Sequence, residues 1–226
     1  MTPIEWCRKN DIWYLKIDLD IPQECIAESQ AVYDEGFFVD HRYGDGDGWC
    51  SASLHSFVHE DESDTRMGWY HTKNPSGHGL TEENVKWGWT EVADVAPETK
   101  RWLEEFPHKN YRRCRFMLLK PQGEIKAHHD QDANPGRRTI AAAINLAFYQ
   151  PEACYLRRVD TKEELPFENC TGFWFDNGVV HEAYNGSNEN RFHFIIHGGS
   201  NKKRKELMKR SLIKQFGSSI EKEIDL

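Results

Sequence analysis

Residues 172–197 read GFWFDNGVVHEAYNGSNENRFHFIIH, and the fold turns on how this stretch is divided. Its two ends are strand-like. Gly172 to Asp176 is short and aromatic, and Arg191 to His197 alternates Phe192, Phe194 and Ile196 against His193, Ile195 and His197. A period of two puts each set on its own face of a sheet. Upstream, Arg113 to Leu119 (RCRFMLL) is a further strand, ending at the Pro121-Gln122-Gly123 turn, and Ile125 to Asp130 follows as a short one. Thr139 to Phe148 (TIAAAINLAF) has the alanine content of a helix, but its neighbours favour a buried strand. Many short strands separated by turns predict a mainly β chain with flanking helices, an antiparallel barrel or jelly roll.

Before residue 110 the signals are weaker. Residues 11–20 (DIWYLKIDLD) alternate as a strand would, and Pro22 to Tyr33 suits a helix. Residues 40–48 (DHRYGDGDG) read as a turn or loop; their aspartates lack the spacing and terminal glutamate of an EF-hand. Glu60 to Glu83 is polar and glycine-bearing, either a lid or rim of a site or a surface excursion. Ala96 to Phe106 carries Trp102, Leu103 and Phe106 at helical spacing. After the strands, Asn201 to Lys214 reads as a terminal helix whose Lys202–Lys205 run (KKRK) is a solvated face rather than a nucleic-acid contact.

The chain has 226 residues, enough for one domain that buries roughly 70% of its unfolded surface without disulfides. Residues 1–109 read as helical and irregular support for a barrel core over 110–200. Net charge is -8, and the aromatics are not interleaved with a basic stripe, so nucleic acid is not the expected partner. The six cysteines form no close pair, which argues against a thiolate zinc knot and for free thiols in a cytoplasmic protein. No signal core or membrane-spanning stretch is present, so the N-x-S/T matches at Asn169 and Asn185 read as chance. A monomer and a homodimer are equally compatible with these features.

His128 and Asp130 are two residues apart, and on a strand both side chains reach the same side. His181 lies 51 residues beyond Asp130, far enough to return on a facing strand of a small barrel. Two imidazoles and one carboxylate form the facial triad of non-haem Fe(II) oxygenases, which leaves room for an oxo-acid and dioxygen; zinc accepts the same ligands. His129 competes with His128 if the strand register differs by one. Arg191, ten residues after His181, offers a fork for a carboxylate such as the distal one of 2-oxoglutarate, with a strand-edge salt bridge as its ordinary alternative. Arg138 is a second candidate for such a carboxylate or for substrate.

Three segments together resemble the aspartyl/asparaginyl β-hydroxylase-like family of the Fe(II)/2-oxoglutarate dioxygenases, a superfamily that includes free-proline hydroxylases. They are RCRFMLLKPQGEIKAHHD at 113–130, RRTIAAAINL at 137–146, and the opening stretch with its Asp-x4-His-x3-Asn pattern and following arginine. The resemblance implies a double-stranded β-helix (a cupin-like jelly roll), with His128, Asp130 and His181 as metal ligands and Arg191 on the cosubstrate. It also implies hydroxylation of an amino acid or peptidyl side chain, using Fe(II), 2-oxoglutarate and dioxygen and releasing succinate. Trp174, Phe175 and Phe194 would then either wall the site or serve as ordinary sheet core, while Asn185 and Asp176 would orient the loop around His181. Family members often carry a histidine two residues after the arginine at position 138; this chain has Ile140. Competing readings are a metal-dependent isomerase on a cupin-like barrel and a non-catalytic small-molecule-binding barrel.

Overall fold

A computed structural model describes residues 1–41, 46–57, 86–130 and 143–225. In chain order the elements are α1 (Pro3–Lys9), β1 (Tyr14–Ile17), α2 (Glu24–Asp34), β2 (Val39–Asp40), β3 (Gly46–Phe57), β4 (Trp87–Trp89), α3 (Val92–Val95) and α4 (Pro97–Glu105). They continue as β5 (His108–His128), β6 (Ile144–Tyr149), β7 (Cys154–Arg158), β8 (Thr171–Phe175), β9 (His181–Asn185), β10 (Arg191–Ser200) and α5 (Lys202–Phe216). A 3-10 turn at Ser218–Glu223 follows.

Strands run in the order β1-β8-β6-β10-β5-β3-β2, and β7 and β9 join through β5. The strand that curls this sheet is β5. Its first half, Cys114 to Leu119, pairs with β10 and β3, whereas Glu124 to His128 pair with β9. The expected turn at Pro121-Gln122-Gly123 is instead a corner inside one continuous strand. Three extra residues sit there, since Leu119 pairs with Trp49 and Glu124 with Asp47. Gln122 adopts φ 59°, and a Cβ on Gly123 would lie 2.8 Å from the Lys120 carbonyl oxygen. The irregularity bends β5 and so curls the sheet, as β-bulges do. All the ladders among the described residues are antiparallel, and the architecture is a double-stranded β-helix with flanking helices.

Two apolar clusters follow from strand alternation. Phe192, Phe194, Ile196, Leu118, Phe116 and Trp174 pack outward against α2, α4 and α5. Leu119, Ala147, Phe173, Phe175 and Ala183 face inward with Leu156, Leu165 and Phe167. Helix α4 has no side-chain cap of its own. Glu28 on α2 supplies one, its buried carboxylate accepting from the Glu98 and Thr99 backbone at 2.7 Å each. That satisfies donors at a helix N-terminus, where negative charge is favoured.

Strand β3 was not legible in the sequence, nor were α1, α3, β2, β4 and β7. The segment before residue 110, expected to be helical and irregular apart from a strand within 11–20, supplies that strand as β1 and also β2, β3 and β4. The 40–48 stretch ends in the start of β3 rather than in a loop. The Lys202–Lys205 run is solvated at Lys202 and Lys203, but Arg204 is buried with its guanidinium against the His108 ring at 3.0 Å. Position 204 faces the sheet because α5 docks on it through Leu207, Met208 and Leu212. The expected rim at 60–83, together with Arg138 and Ile140, lies outside the described residues. No described helix is long and apolar enough to cross a membrane.

Candidate active site

Strands β5 and β9 meet at the site. His128 ends β5, His181 opens β9, and the two are direct register partners with ring centroids 4.5 Å apart. Asp130 lies two residues past His128, and its backbone N–H donates to the Asn177 carbonyl at 2.9 Å, tying the end of β5 to the loop before β9. The donor atoms of His128, Asp130 and His181 lie within 4.8 Å of one another, with His128 Nε2 3.6 Å from Asp130 Oδ1. His129 is exposed and outside this group.

The imidazole protons are placed by the backbone. His128 Nδ1 meets the Lys126 carbonyl at 2.7 Å, and His181 Nδ1 meets the Val179 carbonyl at 2.8 Å. A carbonyl only accepts, so each Nδ1 carries a hydrogen, and in the neutral tautomer that this selects the lone pair lies on Nε2. Burial holds the His181 pKa below the usual histidine range, which keeps its lone pair available. This arrangement fits a metal ion: two imidazoles with carbonyl-oriented rings and a carboxylate.

Arg191 opens β10 and is 3% exposed. Its Nε donates to Gln150 Oε1 at 2.7 Å, and its guanidinium stands 5.7 Å above the Phe167 ring. Nη2 is buried with no hydrogen-bond partner, and no carboxylate pairs with the group among the described residues. Burial lowers the Arg191 pKa to about 10, so it remains a cation at neutral pH. A buried, uncompensated cation is costly unless an anion meets it. Phe167 beneath Arg191 and Phe175, 5.1 Å from His181, belong to the same inward cluster. The triad and the guanidinium therefore share one barrel interior.

A protein-family comparison finds the aspartyl/asparaginyl β-hydroxylase model over residues 47–198, more than half of the chain. The chain belongs to the aspartyl/asparaginyl β-hydroxylase family. Among solved structures, an oxidoreductase of the 2OG-Fe(II) oxygenase family from Burkholderia pseudomallei is 9% identical with a TM-score of 0.50, covering 88% of this chain and 91% of that one. A viral collagen prolyl hydroxylase from Paramecium Bursaria Chlorella virus-1, solved as a 2OG complex, is 14% identical with a TM-score of 0.46, over 84% and 97%. A Pseudomonas putida prolyl-4-hydroxylase is 13% identical with a TM-score of 0.46, over 88% and 99%. A search of curated proteins finds no significant match. This member of the hydroxylase family is a 2-oxoglutarate-dependent enzyme.

Of the expected wall residues, Phe175 touches His181, but Trp174 and Phe194 lie on the outward face, because alternation along β8 and β10 sends them to the helices. Asn185 does not serve the His181 loop. It donates to the Leu119, Lys120 and Glu189 carbonyls at 2.8, 3.1 and 2.8 Å, joining the β5 corner to the β9–β10 turn. Asp176 does serve that loop: its Oδ1 accepts from Gly178 N at 3.2 Å, and its carbonyl accepts from Val179 N at 3.0 Å.

Sequence reasoning missed Arg8, whose motif-free position in α1 gives no local signal. Its Nε and Nη2 donate to Asp176 Oδ2 and Oδ1 at 2.7 and 2.8 Å, bracing the loop that carries Asn177 and His181. Groups that orient ligands typically change metal affinity about 10–100-fold when removed. Arg8→Ala is expected to weaken Mn(II) binding about tenfold. Metal titration followed by calorimetry checks this, and unchanged affinity would show that the brace is dispensable.

Proposed function

We propose that this protein hydroxylates an amino acid or peptidyl side chain, with His128, Asp130 and His181 holding Fe(II) and Arg191 receiving the distal carboxylate of 2-oxoglutarate. The observation that carries this reading is the shared interior: a two-histidine, one-carboxylate group and a buried cation lacking an anion open onto the same apolar cluster. When bound, iron would supply the oxidising chemistry by which 2-oxoglutarate and dioxygen become succinate and carbon dioxide, one oxygen atom entering succinate and the other the hydroxylated product. The chain's own residues do the rest. The Lys126 and Val179 carbonyls hold the imidazole tautomers, and Phe175 keeps water from the His181 side of the site. A cupin-like isomerase has no need of a second carboxylate clamp, so Arg191 argues against it.

The test is aerobic turnover of the purified protein with Fe(II), 2-oxoglutarate and panels of short peptides and free amino acids. Succinate should form in step with a product heavier by one oxygen atom. Succinate no higher than in a metal-free control, for every member of both panels, would sink the reading.

A further inference from the structure

We infer that Gln150 is a positioning residue that decides which edge of Arg191 meets the cosubstrate. This rests on the assignment of Arg191 to the distal carboxylate. A guanidinium has two edges able to grip a carboxylate with parallel hydrogen bonds, one including Nε and one made of the two terminal nitrogens. The Gln150 carboxamide oxygen occupies Nε at 2.7 Å and also meets His193 Nε2 at 3.3 Å. The amide is itself held: Gln150 Nε2 donates to the Cys154 carbonyl at 2.9 Å, and Gln150 N donates to Asn169 Oδ1 at 2.8 Å. That anchoring turns the carboxamide oxygen toward Arg191. The edge including Nε is thereby consumed, and the terminal edge, with its unpartnered Nη2, is left for the ligand.

Gln150 reaches this place through an irregularity in the ladder. His193 pairs with Ala147, but Phe192 pairs with Tyr149, so β6 carries one extra residue at Phe148. In unbroken register Tyr149 would stand beside Arg191. The bulge replaces a phenol with a carboxamide at that level, the kind of re-aiming that bulges produce. The acceptor is also neutral. A carboxylate there would pair with Arg191 and cancel the charge that attracts a diacid, whereas a carboxamide orients the fork and leaves it cationic.

The experiment compares Gln150→Met, Gln150→Glu and Arg191→Gln with the parent protein by calorimetry, using Mn(II) as a redox-inert metal. Each is titrated with 2-oxoglutarate and, separately, with pyruvate, a 2-oxo acid without the distal carboxylate. Gln150→Met removes one neutral acceptor and should weaken 2-oxoglutarate binding about tenfold. Gln150→Glu, almost isosteric, should weaken it on the order of a hundredfold, because it places a competing charge on the fork. Mn(II) and pyruvate binding should be unchanged in both. Equal 2-oxoglutarate affinity for the Glu and Met variants would overturn the positioning role. So would a parallel loss of Mn(II) and pyruvate binding, which marks a residue needed for the fold. If Arg191→Gln leaves the preference for 2-oxoglutarate over pyruvate intact, the Arg191 assignment falls and takes this inference with it. If Arg191→Gln removes the preference while the Gln150 variants keep parental affinity, the inference about Gln150 alone is overturned.

Discussion

His181→Ala is expected to abolish metal-dependent succinate formation and to weaken Mn(II) binding on the order of a thousandfold, more than the 10–100-fold typical of residues that only orient ligands. His181 is one of three converging donors and is buried, with its Nδ1 hydrogen committed to the Val179 carbonyl. Alanine removes the Nε2 lone pair and leaves a two-donor site. The informative control is His129→Ala. His129 neighbours His128 in sequence but is exposed and outside the donor group, so its loss should leave Mn(II) affinity unchanged. Far-ultraviolet circular dichroism separates ligand loss from unfolding, since His181 also packs against Phe175. Parental Mn(II) affinity in the His181 variant, with the fold intact, would refute the ligand assignment.

The second large effect is acid sensitivity of the fold. Burial, reinforced by Arg204, lowers the His108 pKa to about 3. Burial likewise holds His193 and His197 well below the usual histidine range, with Arg191 beside the first and Arg113, Arg115, Arg204 and His108 around the second. In the unfolded chain these rings titrate near the ordinary value of about 6.5. Their folded pKa values are depressed, so between the two values the unfolded state binds more protons. The stabilising contribution is therefore present above pH 6.5 and is lost as pH falls toward the folded values. The loss grows with each pH unit below 6.5 because the unfolded chain takes up protons that the buried rings refuse, and the three rings act in the same direction. Glu182, held low first by Arg157, and Asp18, held low first by Lys214 and then by Arg210, have lowered pKa values and add little in this window. Urea denaturation at pH 7.5, 6.5 and 5.5 should show a steep fall between the last two. A flat profile would mean that these rings become protonated without unfolding.

What could be read before the fold was known was mostly local. The β9–β10 stretch announces itself because His181, Asn185 and Arg191 are close in sequence and β10 alternates cleanly. The period of a strand nominated His128 and Asp130, but β5 ends at His128, Asp130 is tied by its N–H to the Asn177 carbonyl, and the preference over His129 awaited the register with His181. Strand β3 stayed hidden because GDGWCSASLHSF is small and polar. Its Cys50, Ala52 and Leu54 join the outward cluster, while Ser51 and Ser53 are buried from the other face, so burial on both sides erases the hydrophobic alternation.

Strand alternation and the spacing of charged and imidazole side chains were thus enough to predict a mainly β barrel or jelly roll and to nominate three metal donors and an arginine, while the oxygenase family rested on the resemblance of three segments. Tertiary structure alone decided the corner of β5, the brace from Arg8 to Asp176, the burial of Arg204 and the place of Gln150 beside Arg191. Each depends on residues distant in sequence or on a bulge that shifts a ladder by one or more positions. A periodic pattern records which face a side chain takes, but not which strand, helix or carboxamide it will find there.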